Sequence, residues 1–546
     1  MARVDTAVAE RFVARADQLD QLDGGWRDHM AQISDVIRPL RRELRGARGP
    51  EGEKRMNRVY DGTAMNAAGN LAAGLYGTGT NQAENWLSLS LVDKDRTKWG
   101  PNRDWLNRQS KKLLASFGPT YSGFYAQVAS LYLDLAAFGT AVFSSELRPD
   151  HSGFIDLSRS LASHNFDVDP EGRVNSMYVR RRMTVENAAR EFGKENLSDK
   201  LRGKLDSRER CETDLLQAVV PNDGLIAGLA GWGKKFAKLV IEAETKHVVQ
   251  QQGFKSFPYF VPRWEVAEGE RKGRGPGEKA LPDTKSLNVM RKANLKAGEM
   301  AGDPPWGGPD EGNVPVSRIR PGNYVPGSFD RRGNQLVAPL LTGGQSPFSL
   351  EMEQALQATI KDYFYFSLLQ LVGRSGMSTV EVIERNEEKQ RLMAPYLGRI
   401  QAEFLAPLVM RRWELLQQVP GVIDAPPPDL AGHTIEVEFV SAAALAQKSA
   451  RAAGVLRFVQ VAEPIMALDP MARARFNGDK ALQTVAEAVA VPEVLHDDET
   501  TDKNRQAIQQ QMQMASAAET MPQMADAADK GASAVARLKG DGKAAA

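Results

Sequence analysis

MSTVEVIERNEEKQRLMAPYLGRIQAEFLAPLVMRRWELLQ, residues 377–417, reads as one very long helix that carries proline at positions 395 and 407. Ser378 and Glu381 match the capping box S-x-x-E, in which two side chains satisfy orphan backbone donors, so the helix has a start signal. Leu397, Ile400, Phe404, Leu408 and Trp413 follow 3–4–4–5 spacing and form one apolar stripe. A proline removes a backbone donor and presses its ring on the preceding turn, so bends are expected at Pro395 and Pro407. A monomeric soluble enzyme has little use for such a rod.

A second long helix precedes it. SPFSLEMEQALQATIKDYFYFSLLQLV, 346–372, would span about 40 Å at 1.5 Å per residue. Its aromatic run, Tyr363 to Phe366, would face all sides of that helix and implies core or subunit neighbours on several of them. The Gly-Ser loop GRSGMS, 373–378, joins the two helices. Further upstream, 302–345 is rich in glycine and proline with short β runs, and it follows a helix beginning near Leu281. Residues 266–280, VAEGERKGRGPGEKA, read as a charged loop.

The first 145 residues read as mostly helical, with segments at 4–45 and 61–75 and two more before 145. Strand-like runs follow: GFIDLSRS, FDVDPEGRVNSMYVRRRMT, TDLLQAVVP, KFAKLVIEAE and FPYFVPRWEV. TVENAAREFG is a short helix among them, with Thr184 as its N-cap. Downstream of 417 come the strand TIEVEFV, Ala-rich helices to about 515 and a low-complexity end. The fold class is α+β, mainly α.

Composition excludes several functions. The formal net charge of +1 argues against tight nucleic-acid binding, which needs many uncompensated cations on phosphates. One cysteine, Cys211, rules out an intrachain disulfide and a cysteine zinc site, and fits a reducing cytoplasm. The charged N-terminus shows no signal peptide. The most apolar window, 131–143, holds Asp134 and is too short to span a bilayer, so a soluble protein is expected.

GLAGWGKK, 228–235, approaches a phosphate loop through Gly228, Gly233 and Lys234. Lys235, however, stands where a hydroxyl should hold Mg²⁺, and a hairpin tip is the simpler reading. The carboxylates of Asp167 and Asp169 precede a Pro-Glu-Gly turn and read as part of it. No two of the six histidines share a helix face, and Cys211 has no nucleophile context. No catalytic, metal or cofactor-binding residue and no cofactor are expected.

The order of parts, with three strings in sequence, resembles the head-to-tail connector (portal) proteins of short-tailed bacteriophages. The strings are VYDGTAMNAAGNLAAGLYGTGTNQAENWLSLSL at 59–91, FPYFVPRWEVAEGERKGRGPGEKALPDTKSLN at 257–288 and EVIERNEEKQRLMAPYLGRIQAEFLAPLVMRR at 381–412. The resemblance covers most of 5–500. It implies a wing at 1–265 and a first stem segment at 266–301. A clip at 302–345 and a second stem helix at 346–372 would follow. Residues 373–440 would hold the tunnel loop, the long kinked helix and the return strand. A crown at 441–515 and a disordered tail at 516–546 complete the chain.

Gly373, Arg374, Ser375, Gly376, Met377 and Ser378 would then face a DNA channel, with Pro395 and Pro407 as helix kinks. The implied assembly is a ring, a dodecamer, at the capsid portal vertex of the virion, from a chain made in the host cytoplasm. Implied partners are terminase, major capsid and scaffolding proteins, tail adaptor or nozzle proteins, and double-stranded DNA passing non-specifically; no membrane is involved. Near-neutral charge suits DNA that must slide. A packaging ATPase remains the competing class, and would need 228–235 to bind Mg-ATP. Another virion structural protein, of tail or internal core, is a third, and would lack the stem–insert–stem order.

Overall fold

The computed structural model describes residues 6–45, 52, 54–93, 100–206, 211–224, 229, 233–302, 306–307, 332, 334–336, 338–339, 347–366, 392–430, 432–439, 454–462, 476–488 and 501–511. The fold is mixed α and β, mainly helical. Two compact units divide the chain. One comprises Met1–Leu89, Arg108–Ala425 and Ile435–Ser441; the other comprises Ser90–Asn107, Pro426–Thr434 and Ala442–Ala546. Among the described residues no helix is long and apolar enough to cross a membrane.

The first unit opens with α1 (Thr6–Leu22) and α2 (Gly24–Val36). Val8, Phe12, Ala16 and Leu19 recur at helical spacing and are buried. Helix α3 (Thr63–Gly79) and α4 (Phe124–Phe138) follow, with β1 (Leu87–Leu91) between them. Next come β2 (Val142–Leu147), β3 (Phe154–Arg159), β4 (His164–Val168) and β5 (Val174–Thr184). Helices α5 (Val185–Phe192) and α6 (Asp199–Asp206) precede β6 (Glu212–Pro221), β7 (Phe236–Glu242), β8 (Val248–Phe254) and β9 (Tyr259–Phe260).

Strands β4 to β8 form an antiparallel meander in chain order, and β3-β2-β9 a second sheet. The strand period of two sorts the meander's residues onto two faces. Leu216, Ala218, Leu239 and Ile241 lie under α1, whereas Leu215, Val240 and Val249 meet Val185, Ala188 and Leu201 of α5 and α6. The sheet is thus covered on both sides. Thr184 caps α5 as expected, its hydroxyl accepting from Asn187 N at 3.3 Å.

Helix α7 (Pro276–Gly302) and α8 (Pro347–Tyr363) pack together on either side of the 302–345 segment. Within that segment the described strands β10 (Trp306–Gly307) and β11 (Ala338–Pro339) pair antiparallel. Helix α9 (392–400), a wide π-helical turn at Gln401–Leu405, α10 (Ala406–Leu416) and β12 (Ile435–Phe439) complete the unit. In the second unit, residues 454–462, Gly478–Ala488 and 501–511 are helical, and Arg505 pairs with Asp479 at 2.5 Å.

Three local expectations differ from the fold. The aromatic run does not lie inside a helix: α8 ends at Tyr363, and Tyr365 takes a positive φ of 55°. Tertiary packing wins there, because Phe364 is fully buried and the Tyr365 hydroxyl meets that of Tyr396 at 3.1 Å. The expected strand FPYFVPRWEV shrinks to Tyr259–Phe260, since Pro258 and Pro262 cannot donate to a ladder.

The segment 266–280 is not simply a solvated loop. Helix α7 starts within it, and its glycines pack on the end of α4. A Cβ on Gly275 would lie 2.6 Å from Gly139 Cα, and one on Gly277 2.2 Å from Ala137 O. Only glycine permits that backbone approach.

Candidate functional site

The described part of the proline-bearing helix is the natural centre, because most of its apolar stripe is buried in the first unit. Ile400, Phe404, Leu408 and Trp413 are buried and Leu397 is half-buried. Phe404 meets Phe143 edge-on at 5.3 Å and Tyr132 at 6.4 Å. Tyr396 stacks on Trp264 with centroids 4.4 Å apart and planes 16° apart.

Charged side chains occupy the same face. Arg412 is 0% exposed and its Nη2 donates to Asp156 Oδ2, also 0% exposed, at 2.5 Å. Its guanidinium lies 3.8 Å from the Phe154 ring centroid and 4.4 Å from that of Phe117, and Nη1 donates to Ser116 O at 3.1 Å. Burial lowers the Arg412 pKa, and the charge and hydrogen bond of Asp156 oppose that. Arg411 donates from Nε to Ser145 O at 3.1 Å and from Nη1 to Ser256 O at 2.6 Å. Burial brings Arg411 down to about 10, still cationic at neutral pH. Together these arginines fasten the helix to the β2–β3 sheet and to the segment after β8.

About two turns earlier, Glu403 accepts from Arg263 three times: from its backbone N at 2.9 Å, Nε at 3.2 Å and Nη2 at 2.7 Å. Arg263 Nη2 also reaches Gly172 O at 2.7 Å. The neighbouring Arg271 and the buried Lys272 both pair with Asp23 at 2.8 Å. Beside the wide turn lies a groove of about 970 Å³ whose lining includes Arg399, Glu403, Pro407, Arg411 and Glu414.

The expected site residues fall as follows. Gly373, Arg374, Ser375, Gly376, Met377 and Ser378 lie outside the described residues, as does Glu381. Pro395 sits in α9 with an exposed side chain, and Pro407 is the second residue after the wide turn. The 222–235 segment joins β6 to β7, with Pro221 opposite Phe236, which is the hairpin reading; Gly228 lies outside the described residues. Asp167 pairs with Arg15 at 2.5 Å, while Asp169 accepts from Arg173 N at 2.8 Å within a turn. Among the described residues no group of His, Cys, Asp and Glu could hold a metal.

The match to known proteins now decides the family. The model of the bacteriophage head to tail connecting proteins matches residues 9–495. The chain belongs to that family. The connector is 27% identical over 540 residues to a probable portal protein of Bordetella phage BPP-1, covering 95% of this chain and 94% of the relative. It is 24% identical over 521 residues to the portal protein of Salmonella phage epsilon15, covering 93% and 92%. The connector's function is the portal function of its family, a structural link between phage head and tail that serves DNA packaging, and it is not an enzyme.

Sequence reasoning missed the fasteners Arg263, Glu403, Arg411, Arg412 and Asp156. A signal existed. Phe404, Leu408 and Arg412 recur every four residues, so an arginine continues the apolar stripe where Trp413 was counted instead. A charge on a buried stripe demands a partner.

Proposed function

We propose that the connector closes into a ring of about twelve copies through a heterologous interface, which rotation alone can close. In this reading 1–265 is the wing, 266–301 and 346–372 are the stem, 302–345 is the clip and 441–515 is the crown. Residues 373–378, with Arg374, line the DNA channel. The clip meets terminase during packaging and tail adaptor or nozzle proteins afterwards. Major capsid and scaffolding proteins surround the wing at the head vertex, and double-stranded DNA slides through without sequence-specific contact.

The observation that carries this reading is the bare surface of the α7–α8 pair. The two helices hold each other through Glu353, which is buried and accepts from Arg291 at 3.0 Å and from Asn294. Yet Val289 is 70% exposed and Leu295 48%, with Leu350 and Met352 exposed on α8. Apolar groups left in water on two packed helices favour a further partner. Light scattering on the purified protein tests this. A mass near a dozen times 59.9 kDa is expected, and a stable monomer at micromolar concentration rejects the ring.

A further inference from the structure

We infer that Glu403, bolted to Arg263, is the positioning residue that sets the rotational phase of α9 relative to α10. The inference goes beyond the ring, since it concerns how one subunit aims its own helix.

The chemistry starts at Pro407. In an α-helix its missing N–H would have bonded to the carbonyl four residues back, and its ring presses on that same carbonyl. That residue is Glu403. The chain swells there instead: Ala406 N–H bonds to Gln401 O, five residues back, across the wide turn Gln401–Leu405. Such a turn holds one residue more than an α turn, and each residue advances a helix by about 100°. Everything N-terminal to the turn is therefore rotated by about that angle from where a regular helix would put it.

The apolar pattern agrees with this phase. In it Met393 and Ile400 are buried and Tyr396 lies on Trp264. A regular helix would bring Ala394, Leu397 and Gln401 towards those places, with a polar amide where Ile400 now sits.

Proline opposes the regular turn but does not by itself choose where the extra residue goes. Glu403 does. Its carboxylate is held by the Arg263 backbone N–H as well as by the guanidinium, so the contact is to fixed main chain. Arg263 in turn is anchored to Gly172 O and to Arg271 O at 3.2 Å. Shifting the bulge by one residue would move the Glu403 side chain by about 100° and break all three bonds.

Substitution at Glu403 tests the assignment on the full-length assembled protein. Glu403→Gln keeps the size and removes the charge. Amide hydrogen exchange across 392–405 should then rise by at least about tenfold, the loss expected for charge-assisted bonds. Exchange across 408–416, fastened separately by Arg411 and Arg412, should not change. The near-ultraviolet circular dichroism of the Trp264–Tyr396 stack, isolated by subtracting the spectrum of Trp264→Phe, should weaken. Glu403→Gln combined with Pro407→Ala should remove the stack signal, because a regular turn is then allowed, whereas Pro407→Ala alone should retain it. Unchanged exchange and an unchanged stack signal in both Glu403 variants would overturn the inference. Equal acceleration across 392–416 would also overturn it, since Glu403 would then act only on general stability.

Discussion

Two helices of the first unit end up in opposite situations. Helix α10 buries two arginines beside Leu408, Val409 and Trp413, and is tied to the β2–β3 sheet through the adjacent Arg411 and Arg412. The far half of α7 leaves Val289, Leu295 and Met300 in water. Charge inside and apolar surface outside is the reverse of a naive expectation. Its physical sense lies in specificity: a buried ion pair admits one docking geometry, while exposed apolar side chains impose none within the subunit. One helix is enclosed within the subunit, and the other keeps apolar side chains at its surface.

The sharpest way to break this contrast is at Arg412. Arg412→Met leaves Asp156 buried without its cation, which should cost about 3–5 kcal/mol. Urea unfolding would read this as a fall in midpoint. The pair Arg412→Met with Asp156→Leu should recover most of the loss, since two apolar groups of similar volume need no partner. No recovery in the double variant would mean that Arg412 acts through its stacking on Phe154 and Phe117.

How far the sequence announced this varies by residue. Thr184, the β6–β7 hairpin and the strand at 435–439 were legible, because caps, turns and alternation are local. Arg412 was not, because its partner lies 256 residues away and MRRW resembles a solvated helix edge. The same holds for Lys272, which stands in an apparent charged loop but is buried against Asp23. The break at Tyr365 was hidden for a related reason: helix propensity was sound, and contacts with Trp264 and Tyr396 overrode it.

His164 sharpens the buried side of the contrast. It sits in β4, with Nδ1 2.9 Å from Ser160 O. Burial pushes its pKa down to about 3, and the charges of Arg159, Arg41 and Arg181 add to that. Below the unfolded value near 6.5 the unfolded chain takes up a proton that the folded one refuses. Stability should therefore fall as pH drops from 6.5 towards 3, by about 1.4 kcal/mol per pH unit. By pH 5 the loss should be about 2 kcal/mol. His164→Gln cannot titrate and should show a flatter profile in urea midpoints between pH 7.5 and 5. Equal slopes in the two proteins would assign the acid sensitivity elsewhere.

The smallest effect on the subunit itself is expected on the exposed side. Val289→Asp alters a position that touches water, so subunit stability should change by no more than about 0.5 kcal/mol. Its effect on assembly should be far larger, with light scattering showing a shift from ring mass to small species. An intact ring would move the subunit contact away from this face of α7 and remove the contrast with α10.

The Arg412–Asp156 pair also orders events in time. Asp156 leaves the ribosome 256 residues before its partner. At about 5–20 residues per second, that interval is roughly 10–50 s. Throughout it the carboxylate has no cation to accompany it into the core, and must keep its hydration. The β2–β3 sheet, which holds Asp156, therefore stays unfinished until the long helix arrives to close it, whereas the β4–β8 meander draws its cover from α1, α5 and α6 alone. A chain still being translated lacks the piece that completes this part of its own interior until synthesis has passed residue 412.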